Sequence, residues 1–325
     1  MRIRYLGYWA QLVTSSAYSA AIVFIPWDVV RGSSFSDVTN YLNRIELIGR
    51  FGLEYFDFGN SLLRFVSSEY LWAWTLAWMV ENGWDPQNIL NVFSAIAAFT
   101  AHAFLARYIG SLPAFIVLLN PISIDLYVSQ VRSAFAFSLC LTGIWLLDFR
   151  IWRWPAYVLF AISPFFHTSM LMLVPLLLGT KRIITGTSQP TRRLAATSVA
   201  VAVAMAVLIK LTAPIILSTI EDRREFILQG GRTLAYTVFW FILPSLLIIF
   251  RNKLNMRNWR YVFVIIINYM TFFLELFGLA FFRLIGLTIP VTISVLPLVG
   301  ARNRVVLVII LLLYDLLLFS YWLSG

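Results

Sequence analysis

Residues 128–147 read VSQVRSAFAFSLCLTGIWLL, twenty positions with a single charge, Arg132, near their start. A hydrocarbon layer about 30 Å thick is crossed by about 20 apolar residues in helical conformation, so this run has the length of a membrane span. The whole chain has the same character. Its 325 residues are 60% hydrophobic and 12% charged, with a mean hydropathy of +0.82, values outside the range of soluble domains. The sequence therefore predicts an all-α polytopic membrane protein, one integral membrane domain over residues 1–325. With this run among them, spans are expected at about 6–25, 87–106, 112–128, 132–149, 193–213, 233–250, 261–281, 284–300 and 304–323. The basic, small-residue head MRIRYLGYWAQLVTSSAYSA reads as an uncleaved first span, because so many spans follow it.

Two segments decide the topology. Residues 62–80, LLRFVSSEYLWAWTLAWMV, carry Arg64, Glu69 and four aromatic residues after Val66, as an interfacial or re-entrant helix does. Residues 155–180 are long enough to cross once with tilt, yet Ser163-Pro164 and His167 interrupt the middle. Proline removes a backbone donor and disfavours helix in the residue before it, so two half-helices meeting near His167 are expected. With 62–80 kept outside and 155–180 a hairpin, the inner loops hold Arg2, Arg4, Arg107, Arg150, Arg153, Lys181, Arg182, Arg192, Arg193, Arg251, Lys253, Arg257, Arg260, Arg302 and Arg304. Only Asp148 accompanies them. This obeys the positive-inside rule and gives about 11 transmembrane helices, amino terminus in the cytoplasm, with outward loops at 26–86 and 214–232. Asp85-Pro86 is an N-cap followed by a proline suited to a first helical turn.

The net charge of +10 is accounted for mainly by these loops, which argues against a nucleic-acid partner. One cysteine, Cys140, and two histidines, His102 and His167, are too few for a disulfide framework or a typical metal centre, so no metal or cofactor is expected. Ten cations remain that orientation disfavours: Arg31, Arg44, Arg50, Arg64, Arg132, Lys210, Arg223, Arg224, Arg232 and Arg283. Arg132 and Arg283 abut apolar helix, where a charge drawn toward hydrocarbon costs about 2.5–3.5 kcal/mol. Snorkelling of the guanidinium to the interface accounts for either residue alone. Convergence of several outward arginines on a lipid-linked phosphate or pyrophosphate accounts for them together, because the planar guanidinium bonds phosphate in pairs and keeps its charge. Outer acids, among them Asp37 and Glu69, suit sugar hydroxyls or a proton. His167 reads either as a proton acceptor for a hydroxyl nucleophile or as a packed histidine bonded to a carbonyl. Asp148, Glu275 and Asp315 lie in or beside late spans, where acids mark a proton path or pair with cations.

These residues fall in segments that together resemble the EpsG-like branch of the Wzy-type O-antigen and exopolysaccharide polymerases. Arg31-Gly-Ser-Ser-Phe-Ser-Asp37-Val-Thr-Asn-Tyr41 resembles the family's Arg, Gly, Asp and Tyr stretch after the first span. Ser68-Glu69-Tyr70-Leu-Trp72 resembles its Glu-x-x-Phe helix. Gln130-Val-Arg132-Ser-Ala-Phe-Ala resembles its Ile/Val-Arg-Gln-x-Leu-Ala segment, with Ser133 where glutamine is common. Phe166-His167-Thr-Ser169 resembles its Phe-His-x-Ser signature, and Phe282-Arg283-Leu a later arginine-bearing segment. The resemblance implies a GT-C-like glycosyltransferase of the bacterial inner membrane, active at the periplasmic face. Such enzymes move a growing glycan from undecaprenyl pyrophosphate to the non-reducing end of a lipid-linked repeat unit. It implies His167, Asp37 and Glu69 as catalytic candidates, and Arg31, Tyr41, Gln130, Arg132, Ser169, Arg223, Arg224, Arg232 and Arg283 as substrate-binding ones. An upstream flippase and a chain-length regulator are the protein partners it implies. A flippase of lipid-linked oligosaccharide, an O-antigen ligase and a membrane acyltransferase are the competing readings.

Overall fold

The computed structural model describes residues 2–55, 68–185, 191–219, 234–251, 256–279, 281 and 283–324, which are helical throughout with short 3₁₀ turns and no strand among them. The helices are α1 (Arg2–Phe24), α2 (Trp27–Arg31), α3 (Ser36–Phe51), α4 (Tyr70–Glu81), α5 (Pro86–Ile109), α6 (Ser111–Leu118), α7 (Pro121–Val128), α8 (Val131–Leu147), α9 (Arg153–Phe166), α10 (Met170–Thr185), α11 (Thr191–Thr219), α12 (Leu234–Ile249), α13 (Trp259–Leu276), α14 (Arg283–Ile293) and α15 (Ala301–Ser324). Four stretches, Pro86–Ile109, Thr191–Pro214, Trp259–Leu276 and Ala301–Leu323, are long and apolar enough to cross a membrane, and the bent pair α6 and α7 makes a fifth if it crosses as one. The chain is thus an α-helical protein with the spans of a membrane protein.

Two expected spans have a different form. Residues 112–128 are not one helix: α6 and α7 are bent by 80°, and eight residues rise only about 12 Å each. Asn120 makes the break, its Oδ1 accepting the Ser123 N–H at 2.9 Å and its Nδ2 donating to the Val117 carbonyl at 2.7 Å, with Pro121 opening α7. Residues 284–300 hold an 11-residue helix followed by a 3₁₀ turn at Leu296–Leu298. At two other places the local expectation matches, while residues 62–67 of the expected interfacial helix and 220–232 of the second outward loop lie outside the described residues. The Asp85 carboxylate accepts the N–H groups of Gln87 and Asn88 at 2.9 and 3.2 Å ahead of Pro86, and helix stops at His167 before restarting at Met170.

The chain divides into two compact units. The first comprises residues 1–174 and 313–325. Here α1 lies antiparallel to α5: Gln11 Nε2 donates to the Ala103 carbonyl at 2.6 Å, Ser15 Oγ lies 2.8 Å from His102 Nδ1, and Ser19 Oγ donates to the Ala95 carbonyl at 2.9 Å. His102 also bonds the Ser111 carbonyl through Nε2 at 3.1 Å. A carbonyl only accepts, so Nε2 carries the proton and Nδ1 takes the serine hydroxyl. His102 is therefore packing. Helix α8 packs on α5 and α9, and Gly143 lets the Phe160 ring come so close that a Cβ there would sit 2.9 Å from it.

The second unit comprises residues 175–312, built on α13, which contacts α11, α12 and α14. Three charges find structural partners here. Lys210 Nζ donates to the Phe277 carbonyl at 2.7 Å, at the C-terminal end of α13 where a cation is favoured. Glu275 Oε1 accepts the Phe281 N–H at 2.9 Å. Arg260 is buried and donates to the Ser294 carbonyl at 2.8 Å.

Candidate functional site

The segments around Glu69, Arg132 and His167 come from three helix ends and that around Tyr41 from the second turn of α3, and a ladder of rings aligns them. Tyr41 and Trp72 lie 6.0 Å apart, Trp72 and Phe93 4.8 Å, Phe93 and Phe135 4.8 Å, and Phe135 and Phe166 5.0 Å. The ladder threads α3, α4, α5, α8 and α9. Phe135 sits one turn after Arg132 and Phe166 immediately before His167, so the packing that fixes the rings also fixes the polar residues beside them. Edge-on aromatic pairs add about 0.5–1.5 kcal/mol each beyond their burial.

Glu69 is the hub. It precedes α4 in a left-handed conformation, φ 58° and ψ 54°, the one non-glycine residue with positive φ among the described residues. That conformation costs about 1–2 kcal/mol, and strain of this kind persists where the surroundings over-determine it. The surroundings do so here. Glu69 is 2% exposed; its Oε2 forms an ion pair with Arg132 Nη1, and its Oε1 accepts the Thr168 backbone N–H at 3.2 Å, with Thr168 Oγ1 at 3.5 Å. One carboxylate thus ties the start of α8 to the turn between α9 and α10. The Arg132 side chain is 19% exposed and its guanidinium carbon lies 5.9 Å from the Tyr41 ring centre.

The His167 turn is ordered by its own side chains. Nδ1 accepts the Ser169 backbone N–H at 3.1 Å and lies 2.7 Å from Ser169 Oγ. A backbone amide can only donate, so Nδ1 is the lone-pair nitrogen and Nε2 carries the proton in this tautomer. His167 as placed is a donor through Nε2, and its accepting nitrogen faces Ser169. Two residues before Arg132, Gln130 donates through Nε2 to Asp125 Oδ2 at 3.1 Å, while its Oε1 is buried with no hydrogen-bond partner among the described residues.

The other sequence candidates are placed differently. Asp37 lies in the first turn of α3, four residues before Tyr41 and therefore on the same helix face, where a carboxylate is favoured by the helix dipole. Arg31 is engaged with rings, its guanidinium carbon 4.9 Å from the Phe35 centre and 5.9 Å from that of Trp322. Arg283 opens α14 in the second unit and is exposed. Arg223, Arg224 and Arg232 lie outside the described residues. Arg107 pairs with Asp148 at 3.1 Å, which assigns that acid a structural partner. Sequence reasoning missed Thr168, which occupies the variable position of the Phe-His-x-Ser stretch and contributes chiefly a backbone N–H; no side-chain pattern reports such a role.

Comparison of the chain with protein-family models, with curated proteins and with solved structures finds no match. Among the described residues no group of three or more His, Cys, Asp and Glu side chains is arranged to hold a metal ion.

Proposed function

We propose that the chain is a Wzy-type polysaccharide polymerase of the bacterial inner membrane, with about eleven spans, a GT-C-like architecture, a cytoplasmic amino terminus and its active face toward the periplasm. What supports this reading is that four of the five segments resembling that family, distant in sequence, meet through Glu69, Arg132, Tyr41 and the 167–169 turn. In the proposed reaction a hydroxyl at the non-reducing end of a lipid-linked repeat unit attacks the anomeric carbon of the growing glycan. A new C–O bond forms, the bond from that carbon to the pyrophosphate oxygen breaks, and undecaprenyl pyrophosphate leaves with the bond's electrons.

Arg132 stabilises the charge that develops on the leaving pyrophosphate, an electrostatic role needing no reorganisation if the guanidinium is already held in place. Glu69 holds it. With its oxygens committed to Arg132 and Thr168, Glu69 acts as a positioning residue, and the hydroxyl proton passes to Asp37 or to His167. His167 serves as acceptor through Nε2 only after tautomer exchange; as placed it donates to an oxyanion. The test is deletion of the gene in its host, with lipid-linked and surface glycans separated by length. The reading expects long chains to vanish while single repeat units still reach the outer face, and wild type but not Arg132→Ala to restore the ladder. Units trapped on the cytoplasmic face would replace it with the flippase reading.

A further inference from the structure

A groove of about 780 Å³ runs between α1 and α5, and it shares no lining residue with the Glu69 cluster. That volume lies within the range of small-molecule sites. From Asp85 to Phe99 the helix rises about 21 Å at about 1.5 Å per residue, so the groove is long as well as roomy. Its lining changes character along this length. At the α4–α5 turn it is polar, with Asn82, Asp85, Asn88 and Asn91 beside the half-exposed ring of Trp84. Farther along α5 it becomes Val92, Ala95 and Phe99, faced by Ser16, Ser19 and Ala20 of α1, with the Ser19 hydroxyl spent on the Ala95 carbonyl, while Val23 and Phe24 of α1 lie nearer the asparagines. The antiparallel bonds from Ser19 to Ala95 and from Gln11 to Ala103 fix that facing.

The chemistry of the polar end selects the head of the ligand. Among the described residues no lysine or arginine lines the groove, whereas anionic lipid heads are held by clusters of basic residues. The charged residue in this described lining, Asp85, already spends Oδ1 on the N–H groups of Gln87 and Asn88. The three asparagines present both donors and acceptors. Asn82 uses one amide hydrogen on the Trp78 carbonyl, and Asn91 uses its oxygen on Gln87 Nε2, which leaves an amide oxygen on the first and an amide nitrogen on the second. Paired donors and acceptors beside an aromatic face suit vicinal hydroxyls. We propose that the α1–α5 groove binds a glycolipid, with the hydrocarbon chain against Ala20, Val92, Ala95 and Phe99 and the uncharged, hydroxyl-rich head against Asn82, Asn88, Asn91 and Trp84. The site does not depend on the polymerase reading.

The test uses the purified full chain in detergent and native mass spectrometry, with monoglucosyl diacylglycerol, phosphatidylglycerol and phosphatidylethanolamine as probes at equal concentration. The glycolipid should be retained at least tenfold more strongly than either phospholipid. Ala20→Trp, at an exposed position of the groove wall, should abolish that retention, and Val158→Trp, exposed on α9 away from the groove, should not. Asn88→Leu, also at an exposed position, should keep lipid bound but erase the preference for the sugar head, a readout independent of whether Ala20→Trp folds. Equal retention of all three lipids, a preference for either phospholipid, or unchanged glycolipid binding in Ala20→Trp would overturn the assignment.

Discussion

The Glu69–Arg132 pair lends itself to a double-mutant cycle whose sign is fixed by burial. Glu69 is 2% exposed and Arg132 only partly open, so removing one partner strands the other's charge in a site built to neutralise it. Such a loss costs about 3–5 kcal/mol. Glu69→Gln strands the guanidinium, Arg132→Met strands the carboxylate, and the double variant strands neither. Each single variant should therefore be destabilised by about 3–5 kcal/mol and the double variant by less than either. At about 2–4 °C per kcal/mol, the shift for chains of 150–250 residues, each single change lowers the melting temperature by about 6 °C or more. Thermal unfolding of purified protein, followed by tryptophan fluorescence in detergent, reads this directly. The backbone supplies an internal control. Glycine tolerates the left-handed conformation that Glu69 adopts, so Glu69→Gly should be more stable than Glu69→Ala by about 1 kcal/mol, although glycine is ordinarily the costlier substitution. Single-variant losses that add in the double variant to within about 0.5 kcal/mol would refute the claim that the two side chains compensate each other.

Three further outcomes are expected. Arg132→Lys keeps a cation but loses the planar fork; it should reach the membrane at wild-type level yet give a shortened glycan ladder, and wild-type ladders from it would sink the bidentate role. Gly143→Ala places a methyl carbon against the Phe160 ring and should cost about 1–3 kcal/mol by overpacking, with Phe160→Leu restoring most of it in a thermal-shift assay. Cys140 is fully buried between Ser163 and Met170; a maleimide should leave it unlabelled in the folded protein and label it after denaturation, and rapid labelling of the native chain would contradict the packing of α8 on α9.

Much of the helical layout was legible because hydropathy and proline chemistry act locally. Asp85-Pro86 announced the start of α5, and Ser163-Pro164 with His167 announced the break between α9 and α10. Asn120-Pro121 carries the same signal as Asp85-Pro86, yet it lies inside a stretch whose average hydropathy stays high, and that average hid a bend of 80°. Span counting from hydropathy fails at such points because a capping side chain satisfies the freed backbone groups without lowering the apolar average. Within the site, Arg132 was legible as a cation that orientation disfavours, Glu69 as one of several outer acids, and Tyr41 only through the resemblance. Their pairing was not, since a contact between residues 69 and 132 depends on the ring ladder that aligns α4 with α8. Arg31 carries a similar sequence signature, and its contacts with the Phe35 and Trp322 rings were equally hidden, since Trp322 lies at the far end of the chain. The left-handed backbone of Glu69 has no sequence signal at all, because the residue type argues against it.

The most direct test of the central claim is reconstitution of the purified protein in liposomes with a single lipid-linked repeat unit, followed by separation of the glycans by length. The account predicts a ladder of extended glycans with release of polyprenyl pyrophosphate in step, and no ladder from Arg132→Ala at equal protein recovery. Transfer of the repeat unit across the bilayer with its length unchanged would contradict it.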